Sequence, residues 1–272
     1  MGTDTVLVEN CGSIYTITLN RPRVKNAFDI EMLASLAAVL ERVARAQEVR
    51  VVVLAGAGGN FSAGADISLL ARQRSSDEYL REVMQVVSHA VRTMREMPLP
   101  IIAAVRGAAY GGGMNLALAT DFVIATHEAR LSEVFVNLGV VLDTGGTYFL
   151  PRIVGMAKAK ALALLGEEID GRTAAAMGLI YRSVAAADLD AEVAALAAKL
   201  LQKPPSALAL IKRGLESSLD MTLEQALAWE AAYQAIMLQT GAVKEVAARF
   251  LQSRGKRSPE SLTADETLKG GC

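Results

Sequence analysis

A layered α/β fold is predicted by three features of this 272-residue chain. Short runs of β-forming residues alternate with segments of helical period, glycines cluster where strands should end, and beyond about residue 186 the pattern becomes wholly helical. A bundle would lack the first feature and a β-sandwich the last.

The elements follow in order. Residues 5–9 (TVLVE) and 13–19 (SIYTITL) alternate apolar and polar β-formers around Asn10–Gly12, which reads as a hairpin. From Glu31 onward, Leu33, Leu36, Ala37, Leu40, Val43 and Ala44 recur at helical spacing and leave Glu41, Arg42 and Arg45 for solvent. Arg50–Leu54 is a buried strand closed by glycines. Leu80, Val83, Met84, Val87, Val91 and Met94 mark one face of a second helix, ended by Pro98 and Pro100. Ile101–Val105 is the next strand and leads through Gly107 to the glycine run 111–113, a helix from about Met114 to Ala119, and a strand at Phe122–Ala125. The helical C-terminal part should break at Lys203–Pro205 and Leu219–Thr222. We therefore expect a core over residues 1–200, a helical region over 201–255 whose apolar surplus packs on a neighbouring subunit, and a flexible polar tail over 256–272.

Composition narrows the function. Hydrophobic residues make up 52% of the chain and the net charge is −1, so nothing broad attracts nucleic acid or an anionic membrane. Cys11 and Cys272 sit near opposite ends, which disfavours a disulfide and favours a reducing compartment. No basic segment followed by an apolar run opens the chain, and no apolar stretch nears the ~20 residues that span a bilayer. The expected location is the cytoplasm.

Two glycine-rich turns carry the chemistry: AGAGGNFSAGADI (55–67) and GAAYGGGMNLALA (107–119). Glycines ahead of a helix leave its first N–H groups free to meet an anion, although glycine also serves tight backbone packing. Neither turn contains GxxxxGK[ST], nor a GxGxxG opening a helix within a βαβ unit, so the usual phosphate cradles are disfavoured.

The runs LNRPRVKNAFD (19–29), NFSAGADI (60–67), PLPIIAAVRGAAYGGGMNLALATDFVIA (98–125) and LGVVLDTGGTYFLPRIVG (138–155) together resemble the crotonase, or enoyl-CoA hydratase/isomerase, superfamily, over about residues 5–255. The resemblance implies an acyl-CoA-binding spiral of ββα units with a helical trimerisation region, assembled as a homotrimer or a dimer of trimers. It implies an oxyanion hole from the N–H groups of Ala65 and Gly112, a kind of device in which one lost donor typically costs about 3–4 kcal/mol of transition-state stabilisation. CoA would be held by Arg23 and Lys25 at its phosphates and by backbone around Ala63, Asp66 and Ile67. Phe250 and the basic cluster Arg254, Lys256 and Arg257 match a C-terminal feature that reaches a neighbour's CoA, though their spacing departs from the usual pattern. No cofactor beyond the CoA of the substrate is implied.

Hydratases of this superfamily use two glutamates, one to activate water and one to manage the proton delivered to carbon. The matching positions here hold Asn115, which cannot exchange a proton at neutral pH, and Phe135. Both are expected to contact substrate rather than move protons. Glu133 would share the face of Phe135 if that segment is extended, but an exposed or salt-bridged glutamate is the preferred reading. Asp143 stands where isomerase branches carry an acid, and its surroundings particularly resemble the epoxyphenylacetyl-CoA isomerases. Its alternative role is to cap the helix beginning near Thr144.

One carboxylate suffices to move a double bond through an enolate, so isomerisation with Asp143 as acid/base is the favoured reading. A hydratase with relocated acids, dehalogenase-type nucleophilic attack by Asp143 and a non-catalytic acyl-CoA-binding member are the alternatives. Leu69, Leu70, Met84 and Val87 are candidates for the acyl pocket, with plain core packing the preferred reading, and Leu70 is carried forward as a substrate contact. His89 and His127 read as structural or solvated, and no metal-ligand cluster stands out.

Overall fold

The structure, a computed structural model, describes residues 4–66, 83–241 and 243. Two compact units divide between Glu216 and Ser217.

The first unit is built on a sheet of order β1-β2-β3-β4-β6-β9. Strands β1 (Val6–Cys11) and β2 (Ile14–Leu19) form the expected hairpin, pairing Val6 with Leu19 and Cys11 with Ile14. β3 (Val51–Gly56), β4 (Ile101–Val105), β6 (Phe122–Thr126) and β9 (Arg182–Val184) follow in parallel. Residues of β3 alternate between two apolar cores, as a period of two requires: Val52 and Leu54 join the main core, whereas Val51 and Val53 join a second one. Helix α1 (Ile30–Arg45) buries Met32, Leu33, Leu36 and Leu40 in the main core and packs on α2 (Gln85–Glu96). Helix α6 (Leu189–Leu201) covers the other face with Leu189, Val193, Ala197 and Leu200.

A smaller sheet of order β5-β7-β8 comprises Ala108–Tyr110, Arg130–Ser132 and Ile169–Asp170. Between the sheets runs α3 (Gly112–Leu118), buried along its whole length and begun two residues earlier than the sequence pattern predicts. Helix α4 (Gly146–Leu165) is interrupted at Gly155, where φ is 76°, and α5 (Gly171–Ala176) is capped by Asp170. Helix α7 (Pro205–Ser218) crosses the boundary between the units. In the second unit α8 (Leu223–Leu238) starts on a capping box in which Thr222 and Gln225 satisfy each other's backbone N–H groups. Among the described residues no helix is long and apolar enough to cross a membrane, and no group of three or more His, Cys, Asp or Glu side chains could hold a metal ion.

Candidate active site

Both glycine-rich turns end at one place. The loop after β3 pairs with two other segments through isolated bridges, Ser62 with Ala109 and Phe28 with Ala65. Phe28 N–H donates to the Gly64 carbonyl (2.7 Å) and Asp66 N–H to the Phe28 carbonyl (2.9 Å), while Gly64 N–H is taken by Ser62 Oγ (3.1 Å). The Ala65 N–H lies between these bonds and donates to no partner among the described residues.

The two turns approach so closely that side chains are excluded. A β-carbon on Gly64, where φ is 84°, would stand 2.6 Å from the Tyr110 carbonyl oxygen and 3.3 Å from the Gly112 nitrogen. One on Gly113 would stand 2.5 Å from the Ser62 carbonyl oxygen. Gly112 is the first residue of α3, so its N–H has no carbonyl within the helix to meet. The Ala65 and Gly112 segments thus border one small cavity, lined also by Phe28, Leu33, Val83, Met84, Val87, Asp143 and Thr144. Met84 and Val87, for which plain core was the preferred reading, border this cavity, although Val87 is also buried in the core.

Asp143 is the carboxylate in that lining. It does not cap the helix that follows: α4 begins at Gly146 behind Gly145, with no side-chain cap, and only the Asp143 carbonyl accepts from Gly146 N–H (2.9 Å). The carboxylate remains free to face the cavity, where Thr144 Oγ1 donates to its Oδ1 (2.7 Å). Burial raises its pKa above the ordinary carboxylate value, and the Thr144 hydrogen bond opposes part of that rise.

Two polar residues beside Asp143 are buried, and for Glu133 this corrects the expectation. Asn115, anticipated as a substrate contact, is 0% exposed and absent from the cavity lining; its Nδ2 donates to the Asp143 carbonyl (3.0 Å) and to Glu133 Oε2 (3.3 Å). It therefore braces Asp143 from behind. Glu133, expected to be exposed or salt-bridged, is also 0% exposed and forms no ion pair among the described residues. The chain after β7 turns into a 3-10 helix over Val134–Leu138 rather than continuing extended, which removes the strand alternation that would have put Glu133 and Phe135 on one face. Phe135 is buried with its ring edge against Gly111, where a β-carbon would meet its Cζ at 3.4 Å.

Of the expected CoA contacts, Arg23 and Lys25 are exposed and have no ion-pair partner among the described residues. Ala63 N–H is spent on the Lys25 carbonyl (2.9 Å). Ile67, Leu69, Leu70, Phe250, Arg254, Lys256 and Arg257 lie outside the described residues.

Sequence reasoning missed Arg21. Its guanidinium bridges Asp29 (3.0 Å) and Asp66 (3.1 Å) and donates to the Ala27 carbonyl (2.6 Å), so it ties the residue beside Ala65 to the start of α1. Asn26, fully buried, works with it: Nδ2 donates to the carbonyls of Ala57 and Asn60, and Oδ1 accepts from Arg21 N–H. The available signal was the Arg-Pro pair at 21–22, read only as part of a motif. The histidines stand elsewhere, His89 against Glu41 and His127 against Ser183.

Comparison with known proteins agrees with this geometry. The family model described as enoyl-CoA hydratase/isomerase matches residues 9–259. A Rhodobacter capsulatus protein named "Probable enoyl-CoA hydratase" is 39% identical over 93% of this chain and 97% of its own. The 1,2-epoxyphenylacetyl-CoA isomerase of Escherichia coli K12 is 36% identical over 91% of this chain and 94% of its own. The crystal structure of an enoyl-CoA hydratase from Polaromonas sp. JS666 superposes with a TM-score of 0.87 at 32% identity, covering 91% of this chain and 97% of that one. With a crotonase-type fold and a match along nearly its whole length, the chain belongs to the enoyl-CoA hydratase/isomerase family.

Proposed function

We propose that this enzyme isomerises acyl-CoA thioesters, with Asp143 moving the proton and the N–H groups of Ala65 and Gly112 stabilising the enolate. The observation that carries the reading is the carboxylate of Asp143, the single one that lines the cavity among the described residues, adjacent to Gly112. Asp143 would take a proton from carbon near the thioester, negative charge would collect on the thioester oxygen within the hole, and the same carboxyl would return the proton to another carbon. Oxidation state is unchanged throughout, so we propose that no group beyond the CoA of the substrate takes part.

The apolar lining supplied by Phe28, Leu33, Val83 and Val87 suits an apolar acyl chain. Arg23 and Lys25, exposed and without ion-pair partners among the described residues, suit the CoA phosphates. The Ala63 carbonyl, with no donor among the described residues, suits the adenine amino group. We also propose self-association as a trimer or a dimer of trimers, supported by exposed Leu164 and Leu165 in the first unit and exposed Leu223 and Leu227 in the second. Light scattering giving the mass of one chain would overturn that assembly.

The test of the reaction is incubation with 3-enoyl-CoA, 2-enoyl-CoA and a ring-epoxide CoA ester, beside Asp143→Asn. Double-bond migration or ring rearrangement that falls by about 100-fold or more in the variant supports isomerisation. Water addition to 2-enoyl-CoA without migration would instead support hydration, and tight binding without turnover a non-catalytic binder.

A further inference from the structure

We propose that Glu133 is a neutral carboxylic acid in the working enzyme, paired with the Asn115 amide so as to hold Asp143 in register, and that its ionisation sets the alkaline limit of turnover. The second part rests on the reading of Asp143 as the proton carrier.

The argument starts from two atoms left over. Asn115 Oδ1 and Glu133 Oε1 are both buried without a hydrogen-bond partner, although their residues already touch through Asn115 Nδ2 and Glu133 Oε2. An ionised carboxylate would leave both acceptors buried and unsatisfied, with the one long Nδ2–Oε2 hydrogen bond joining the two side chains. A proton on Oε1 changes this. The acid then donates to Oδ1 while Nδ2 donates to Oε2, which closes a cyclic acid–amide pair and satisfies both leftover atoms.

The electrical surroundings point the same way. Asp143 is the titratable group that faces Glu133, and its negative charge opposes a second one. From α3 comes Asn115, which does not titrate, with Gly146 at the start of α4 packed against its amide. On the small sheet, Arg130 and Glu168 act on Tyr110 instead. Burial, first, and Asp143 push the Glu133 pKa up to about 8, with the Asn115 hydrogen bond opposing them.

The connection to Asp143 is mechanical. The remaining Nδ2 hydrogen of Asn115 holds the Asp143 carbonyl at 3.0 Å, and the amide has no room to turn, because a β-carbon on Gly146 would stand 2.5 Å from Nδ2. Ionising Glu133 sets Oε1 against Oδ1, and the tilt this forces on the amide is passed to the segment that carries Asp143. Glu133 is a positioning residue, acting through Asn115.

The test uses the full-length enzyme in two measurements. Infrared difference spectra between about pH 6 and about pH 10 should contain the C=O band of a protonated carboxylic acid that disappears on alkalinisation and is missing in Glu133→Gln. In turnover, wild type should lose kcat as pH rises through about 8, whereas Glu133→Gln, whose amide does not ionise, should keep its kcat up to about pH 10. Glu133→Ala should lower kcat by about tenfold below about pH 7, with little change in KM and without the alkaline fall of the wild type.

An identical alkaline limb in wild type and Glu133→Gln, or a carboxylic band that survives the substitution, would overturn the proposal. If Glu133→Gln does not fold, Asn115→Ala carries the test: the band's pH midpoint must move, and an unmoved midpoint refutes the pair. Failure of the Asp143 reading is separate, since Asp143→Asn would then turn over normally while the infrared result on Glu133 stood.

Discussion

The Asp143 carboxylate oxygen Oδ1 lies 3.3 Å from the point that a β-carbon on residue 112 would occupy, and Thr144 Oγ1 lies 2.9 Å from it. The proposed proton carrier and the proposed oxyanion donor therefore meet across a space that only glycine leaves open. Gly112→Ala keeps the N–H group but must push both neighbours back by a few tenths of an ångström. We expect the variant to fold and bind CoA esters normally while kcat falls by about 100-fold, measured by steady-state kinetics beside a thermal melt. Wild-type kcat would refute this.

Thr144 is the second lever on Asp143. Its hydroxyl is the donor that lowers the carboxyl pKa against the effect of burial. On the proposed role of Asp143 as base, protonation removes the base, so activity should fall as pH drops through this pKa. Removing the hydroxyl in Thr144→Ala should raise the pKa and move the acid limb of the kcat profile to higher pH. A limb that stays in place would mean that another group sets it.

Stability should carry the imprint of Glu133 independently of turnover. Its pKa is about 8 in the folded chain against an ordinary value of 4.5, so across that interval the folded state holds more protons than the unfolded one. The stabilisation is complete below the lower value and gone above the upper one. Burial raises the Asp143 pKa too, so that group adds in the same direction. The Tm of Glu133→Gln minus that of wild type should therefore grow more positive between about pH 5 and about pH 9. A constant difference would contradict a proton held by Glu133.

Far from the cavity, Lys212 holds three segments of the first unit together. Its Nζ, nearly buried, donates to Asp121 Oδ2 (2.8 Å) and to the carbonyls of Met94 (3.0 Å) and Leu99 (3.1 Å). Lys212→Met leaves the Asp121 carboxylate and two carbonyls without their cation, which should cost about 3–5 kcal/mol in denaturant unfolding. Restoring neutrality with Asp121→Asn in the same chain should recover part of that loss.

The large elements were legible because their periods are long enough to count. Leu33, Leu36 and Leu40 mark the buried face of α1, and the run RVVVL marks β3. Strands β5, β7 and β8 contain two or three residues each, too few for any alternation to register, so the small sheet was invisible. Ala65, Gly112 and Asp143 were legible through motif resemblance, and the structure brings them to one cavity. Glu133 was misjudged for a different reason. Burial of a polar residue depends on which segments close over it, here the start of α4 and the 3-10 turn after β7, and local sequence does not encode that closure. The same holds for Arg21, whose partners Asp29 and Asp66 are selected by how the loops fold together.

The turn containing Ala65 and the turn containing Gly112 touch only after the chain between them has threaded α2 and β4 and returned. The bridges of Ser62 to Ala109 and Phe28 to Ala65 are thus among the contacts that a folding chain pays for with large loop closures. Secondary structure can form, and the hairpin can zip, without creating the geometry proposed to stabilise an enolate. During refolding, catalytic activity should consequently appear after the recovery of helical circular dichroism, making turnover itself a clock for the last step of assembly.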